Sequence, residues 1–277
     1  MLRVKGFSGS LAQSELSVLF RRRRTWAMLF TISLIPIFLA IAVKLSGSTL
    51  APGEGPPFLD RVSQNGMFVG FTAMLLAIPL FLPLTIGVVA GDTIAGEANT
   101  GTLRYLLVAP VSRGRLLLVK FFGAGAFALA ATVTLMGTGI IIGAILFPVG
   151  PVTLLSGDVI SIPAALLRIF LVAIYVGISL LGLSSVGLFI STLTVIPVGA
   201  MAATVVFSTV TQILGTLPQI AGIHPYLISY HWLGFADLLR NPIGLESFAS
   251  NILLQLAYIA IFGSLAYSRF TTKDVLS

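Results

Sequence analysis

Long apolar runs alternate with short polar segments along the whole chain. Residues 26–45, 67–90, 116–147, 164–190, 196–217 and 251–268 are apolar over roughly the twenty residues that a helix needs to cross a bilayer. The pattern predicts six spanning helices. Pro79 and Pro83 lie one turn apart in the second and predict a kink there. Gly139 and Gly143 in the third form a GxxxG pair that permits close helix contact.

The flanking segments predict different elements. In residues 1–24, Ser10 and Gln13 fit a capping box. Ala12, Leu16, Leu19 and Phe20 then recur at helical spacing before Arg21, Arg22, Arg23 and Arg24. This predicts an amphipathic interface helix on the membrane surface, with a basic disordered tail as the alternative; for the first span the alternative is a cleavable signal peptide. Residues 46–65 and 148–163 read as turn-rich loops. Residues 218–250 are long for a loop yet apolar, with Ile220, Trp232, Phe235 and Leu238, and are broken by Pro218, Pro225 and Pro242. They predict re-entrant or surface helices.

Composition sharpens the class. Of 277 residues, 57% are hydrophobic and 9% charged, against about 25% charged in a soluble domain. The reading is an all-α integral membrane protein: an interface helix over 1–24, then one transmembrane domain over 25–277. No length remains for a soluble catalytic domain. The absence of cysteine excludes disulfides and thiolate metal sites. The net charge of +7 is set by orientation rather than by nucleic acid. With both termini cytoplasmic, 12 of the 16 Lys and Arg residues fall inside, leaving Lys44, Arg61, Arg168 and Arg240 outside. This predicts a multi-pass protein of the plasma (inner) membrane.

Catalytic signatures are missing. There is no P-loop, no HExxH and no GxSxG. The stretches 67–90, 121–147, 169–190 and 196–217 contain no Asp, Glu, Lys or Arg, which argues against proton coupling. His224 and His231, seven apart, read as interfacial polar residues rather than metal ligands. Energy must therefore enter elsewhere, and the polar island 91–120 is the place. Asp92 and Thr93 predict a cap for a short helix over 94–98, Asn99 to Gly101 a turn, and Ser112 a cap for the third span. Arg113, Arg115 and Lys120 are expected at the headgroup level. A short helix lying crosswise at the ends of two long ones would be a lever.

The island resembles a known family. Glu97, Gly101, Thr102, Leu103, Leu107, Pro110, Ser112, Arg113 and Lys120 match the pattern of the ABC-2 type permeases, while Gly96 and Ala98 replace residues that are charged in many members. The resemblance implies the membrane subunit of an ATP-binding cassette transporter, usually an exporter. Two such subunits, as a homodimer or a related heterodimer, would pair with two ATPase subunits. ATP and Mg would reside in that partner, and this chain would bind no cofactor and catalyse no reaction itself. Asp92, Ile94, Glu97, Gly101, Thr102, Leu103 and Arg104 would couple to the ATPase. Leu16, Leu19, Phe20, Arg21 and Arg22 of the interface helix would add a second contact, and 218–250 would close the exit. Because no charge lines the spans, the expected cargo is apolar or amphipathic, of the drug, lipid or peptide class. Phe71, Phe122, Phe127, Tyr175 and Phe207 are candidates for its route. An ion-coupled secondary transporter and a polytopic membrane enzyme or assembly factor are the rival classes.

Overall fold

The computed structural model describes residues 7–46, 59–102 and 112–272. Six helical segments in it are long and apolar enough to cross a membrane, so the chain is an all-α, multi-pass membrane protein. Helix α1 (Phe7–Arg21) leads into α2 (Arg23–Ser46) through a sharp corner at Arg22. The one-turn α3 (Leu59–Val62) precedes α4 (Phe68–Ala77) and α5 (Phe81–Asn99), which together make the second span. The third span is α6 (Arg113–Leu146). A two-residue hairpin, β1 (Val152–Thr153) with β2 (Val159–Ile160), tops the loop before the fourth span. That span is α7 (Ile162–Ser179) and α8 (Leu181–Leu193), followed by α9 (Pro197–Gly215) and finally α10 (Glu246–Thr272). Short 3-10 helices occupy Pro218–Tyr226 and Gly234–Leu239.

The second span carries the kink expected from its prolines but runs past its expected end. It breaks between Ala77 and Phe81, around Pro79. Pro83 sits in the first turn of α5, where a missing N–H leaves nothing unpaired. Gln212 of α9 donates to the Pro79 carbonyl at 2.8 Å and so satisfies a group exposed by the break. Beyond it, α5 does not stop at residue 90. It runs unbroken to Asn99, so Asp92 and Thr93 lie inside a helix and cap no separate one. Similarly, α1 begins at Phe7, three residues before Ser10, which is therefore not its N-cap. Ser112 does occupy the N-cap position of α6, but its side chain makes no capping bond.

Packing centres on α6, which lies against α1, α2, α4, α5 and α7, while α5 is also held between α8 and α9. The GxxxG pair on α6 finds a second one at the start of the second span. A Cβ added to Gly139 would come within 2.5 Å of Gly70 Cα, and one on Gly143 within 2.0 Å of the Gly66 carbonyl oxygen. The two backbones are in direct contact, closer than any side chain would permit.

The fourth span is also interrupted, at Leu180. Gln255 of α10 accepts from the freed Gly182 N–H at 3.2 Å and donates to Asn251 at 3.1 Å. Asn251 donates to Ser179 Oγ, and the Trp232 indole donates to the Ser179 carbonyl at 3.0 Å. Tyr175 donates to the His231 carbonyl at 2.7 Å. The segment between the fifth and sixth spans is thus bound into the bundle. Ile228, Trp232, Phe235, Leu238 and Leu239 are buried, whereas the first 3-10 helix buries none of its residues.

Candidate functional site

The basic end of the bundle carries a polar joint of four helices. At 1.5 Å per residue, α6 and the combined α4–α5 are each about 50 Å long, against about 30 Å of hydrocarbon. Their basic ends therefore project beyond the membrane core together, with α1 laid against them.

Two ionic contacts tie this projection. Lys120 of α6 donates to both carboxylate oxygens of Glu15 on α1, at 2.9 and 3.0 Å, and to Glu97 Oε1 on α5. Lys120 is 3% exposed. It lies enclosed between two acids rather than out in the medium. Burying an ammonium is tolerable here because both carboxylates bond it directly. The second contact joins Arg24, at the start of α2, to Asp92 on α5 at 2.6 Å, with Arg22 at 3.6 Å from the same oxygen. Between the two contacts lies a cavity of about 20 Å³, bounded by Glu15, Arg22, Arg24, Asp92 and Lys120, room for about one water.

The α1–α2 corner is built to present these arginines. Carbonyls at a helix C-terminus have no intrahelical partner. Thr25 Oγ1 donates to the Leu19 carbonyl at 2.6 Å and Trp26 Nε1 to the Phe20 carbonyl at 2.7 Å. Trp26 is thus the clasp of the corner. Further along, Ser191 of α8 inserts beside the α5 ladder. Its hydroxyl accepts from the Ile94 and Ala95 N–H groups at 3.0 and 2.8 Å and donates to the Gly91 carbonyl at 2.7 Å. The basic end of α5 is therefore coupled to α8 as well.

The residues expected to couple to an ATPase divide. Asp92 and Glu97 are engaged within the chain, and Ile94 is 2% exposed in a small cluster with Leu117, Leu188 and Phe270. Gly101 and Thr102 are exposed at the tip, where Gly101, at φ +72°, ends α5 with its N–H on the Ala98 carbonyl. Leu103 and Arg104 lie outside the described residues. On α1, Leu19 and Phe20 pack on the core and Leu16 is half-buried, while Arg21 and Arg22 are exposed.

The five aromatics expected along a cargo route do not share one environment. Phe71, Phe127 and Tyr175 are fully buried packing residues, Phe122 is 65% exposed, and Phe207 lies edge-on to Phe262. Hydrophobicity identified them, and hydrophobicity does not distinguish a packed ring from a lining one. His224 and His231 do not pair either: His224 Nε2 meets the Leu217 carbonyl, and His231 stands edge-on to Tyr230. Among the described residues no group of three or more His, Cys, Asp or Glu could hold a metal. Glu15 and Ser191 were missed in sequence; the one signal for Glu15 was an acid on the apolar face of a basic helix.

A six-span helical membrane protein with an ion-paired joint at its basic end is the class defined by these features. Residues 10–275 match the model of the ABC-2 family transporter proteins, and the chain belongs to that family. It is similar to the "Probable ABC transporter permease protein NosY" of Pseudomonas aeruginosa, 36% identical over 137 residues, and of Stutzerimonas stutzeri, 35% identical over 137 residues. Each alignment covers 47% of this chain and 42% of the relative, so less than half of those proteins is spanned.

Proposed function

We propose that the chain is the permease subunit of an ATP-binding cassette exporter. A separate ATPase, holding ATP and Mg, docks on the basic end in the cytoplasm of a cell with this protein in its plasma membrane. Two permease subunits and two ATPase subunits make the working assembly. The cargo is apolar or amphipathic and passes between the permease subunits.

The observation that carries this reading is the Glu15–Lys120–Glu97 contact. It ties the projecting ends of α5 and α6 to α1, so a push at the exposed Gly101–Thr102 tip moves three helices as one. The expected lever is thus an end-on extension of the second span, rather than a crosspiece. Glu97 acts as an internal brace and the tip as the surface that the ATPase meets.

Co-reconstitution with a cognate ABC ATPase subunit tests the reading. The triple variant E15Q/K120M/E97Q should still fold and bind the ATPase, yet lose coupling of hydrolysis to export of an amphipathic dye. Full coupling in that variant would remove the brace. The broken fourth span, with buried Asn251 and Gln255, is the one feature that favours an ion-coupled transporter. Dye movement under a sodium gradient with no ATPase present would establish that alternative.

A further inference from the structure

An apolar groove opens on the outside of the bundle between α6, α8 and α10. It has a volume of about 390 Å³, and its walls include Leu118, Phe121, Leu188, Ile259, Gly263 and Tyr267. Its two wall serines present little polarity. Ser185 donates to the Gly182 carbonyl at 2.6 Å, and Ser264 to the Ala260 and Ile261 carbonyls. Leu118 is 58% and Tyr267 53% exposed, so the rims stand in the surrounding medium. The hollow follows from a missing side chain: a Cβ on Gly263 would meet nothing within 4 Å. From Ile259 to Tyr267 the groove follows α10 for about 12 Å, the scale of a lipid chain segment within one leaflet.

Its mouth lies at the basic end. Arg113 donates to the Phe270 and Thr271 carbonyls at 2.9 and 3.0 Å and clamps the ends of α6 and α10 together. Arg115 lies one turn before Leu118 on α6, and exposed Arg269 one turn after Ala266 on α10. Neither has an acidic partner among the described residues. Among the described residues, the acids of that end, Glu15, Asp92 and Glu97, are engaged by Lys120, Arg22 and Arg24.

We propose that this groove binds one anionic phospholipid from the leaflet at the basic end. An acyl chain lies along Gly263, and the phosphate is held at Arg115 and Arg269. The apolar walls select the chain and the two cations select the headgroup charge. The site lies on a different face of α6 from Lys120 and needs no ATPase to be occupied.

Native mass spectrometry of the full chain in detergent tests this, with dioleoylphosphatidylglycerol and dioleoylphosphatidylcholine supplied in equal amounts. The wild type should retain the anionic phosphatidylglycerol preferentially, one per chain. Gly263→Leu, whose Cβ would meet nothing within 4 Å, should fill the hollow and lose the retained lipid while melting no lower, since leucine is the better helix former. Arg115→Gln with Arg269→Gln should keep a lipid but lose the preference, by about fivefold per arginine. Equal retention of both lipids by the wild type would overturn the proposal, as would an unchanged lipid complement in Gly263→Leu. A change of oligomeric state in Gly263→Leu with lipid retention intact would assign the groove to a second copy of the chain instead. None of these outcomes depends on transport, so the export reading stands or falls separately.

Discussion

Asn251 Nδ2 donates to Ser179 Oγ at 2.7 Å, with both side chains fully buried. This one bond joins the last span to the break in the fourth. Gln255 and Trp232 complete the connection to the segment between the fifth and sixth spans. Every polar group of the cluster has a partner, which is what makes polar side chains tolerable at that depth. Asn251→Leu should remove the donor to the Ser179 hydroxyl, which keeps its own bond to the Tyr175 carbonyl, and the acceptor of one Gln255 amide hydrogen. The expected destabilisation is about 1–3 kcal/mol, read as a lower melting temperature in detergent with helix content unchanged.

Removing the cation from the buried triad should be far more damaging than removing the whole triad. Lys120→Met leaves the Glu15 and Glu97 carboxylates facing each other with no positive charge between them, a loss of about 3–5 kcal/mol. The triple variant E15Q/K120M/E97Q leaves no uncompensated charge and should recover most of that. Thermal melts of the four relevant variants form the cycle. A Lys120→Met protein as stable as the wild type would mean that the contact does not form.

The two facing glycine pairs make a sharp comparison available. Gly143→Ala places a Cβ 2.0 Å from the Gly66 carbonyl oxygen, whereas a Cβ on Gly137 meets nothing within 4 Å. Both glycines sit in the same helix and gain the same helix propensity on substitution. Gly143→Ala should force α4 from α6 and lower stability by about 3 kcal/mol or more. Gly137→Ala should be neutral or slightly stabilising. Equal melting temperatures for the two variants would rule out the backbone contact.

Burial pushes the His231 imidazole below its usual pKa range. The native segment therefore holds it neutral where the opened segment would bind a proton. As pH falls from about 6.5 toward the depressed native value, opening takes up protons and the segment loses stability; above that window the effect is absent. Hydrogen-exchange protection at residues 226–239, corrected for the intrinsic pH dependence of amide exchange, should fall between neutral and mildly acidic pH in the wild type. His231→Gln should flatten that dependence.

The polar island at 91–120 was legible as a site, and Lys120 and Glu97 stood out in it because charges next to long apolar runs are few. Their mutual contact was not legible. They lie 23 positions apart, on two helices whose facing depends on where α5 ends, and a local capping pattern at Asp92 suggested an end that the packed helix does not have. Ser191 and Gln212, which grip α5 from α8 and α9, carry no sequence mark that separates them from other span hydroxyls and amides. The aromatics expected along a cargo route differ in burial for a related reason: in a chain this apolar, ring identity gives no information about which rings face a cavity.

Membership of the membrane class, the six spanning segments and the charged end were determined by sequence alone. Hydropathy and charge act on each segment independently of its neighbours, because each residue is judged against lipid or water. Tertiary structure alone decided which small residues touch, which charge is enclosed by which acids, and where the second and fourth spans break. Those features depend on side chains meeting across helices, and a broken backbone hydrogen bond is tolerated in hydrocarbon only where a distant residue such as Gln212 or Gln255 arrives to replace it.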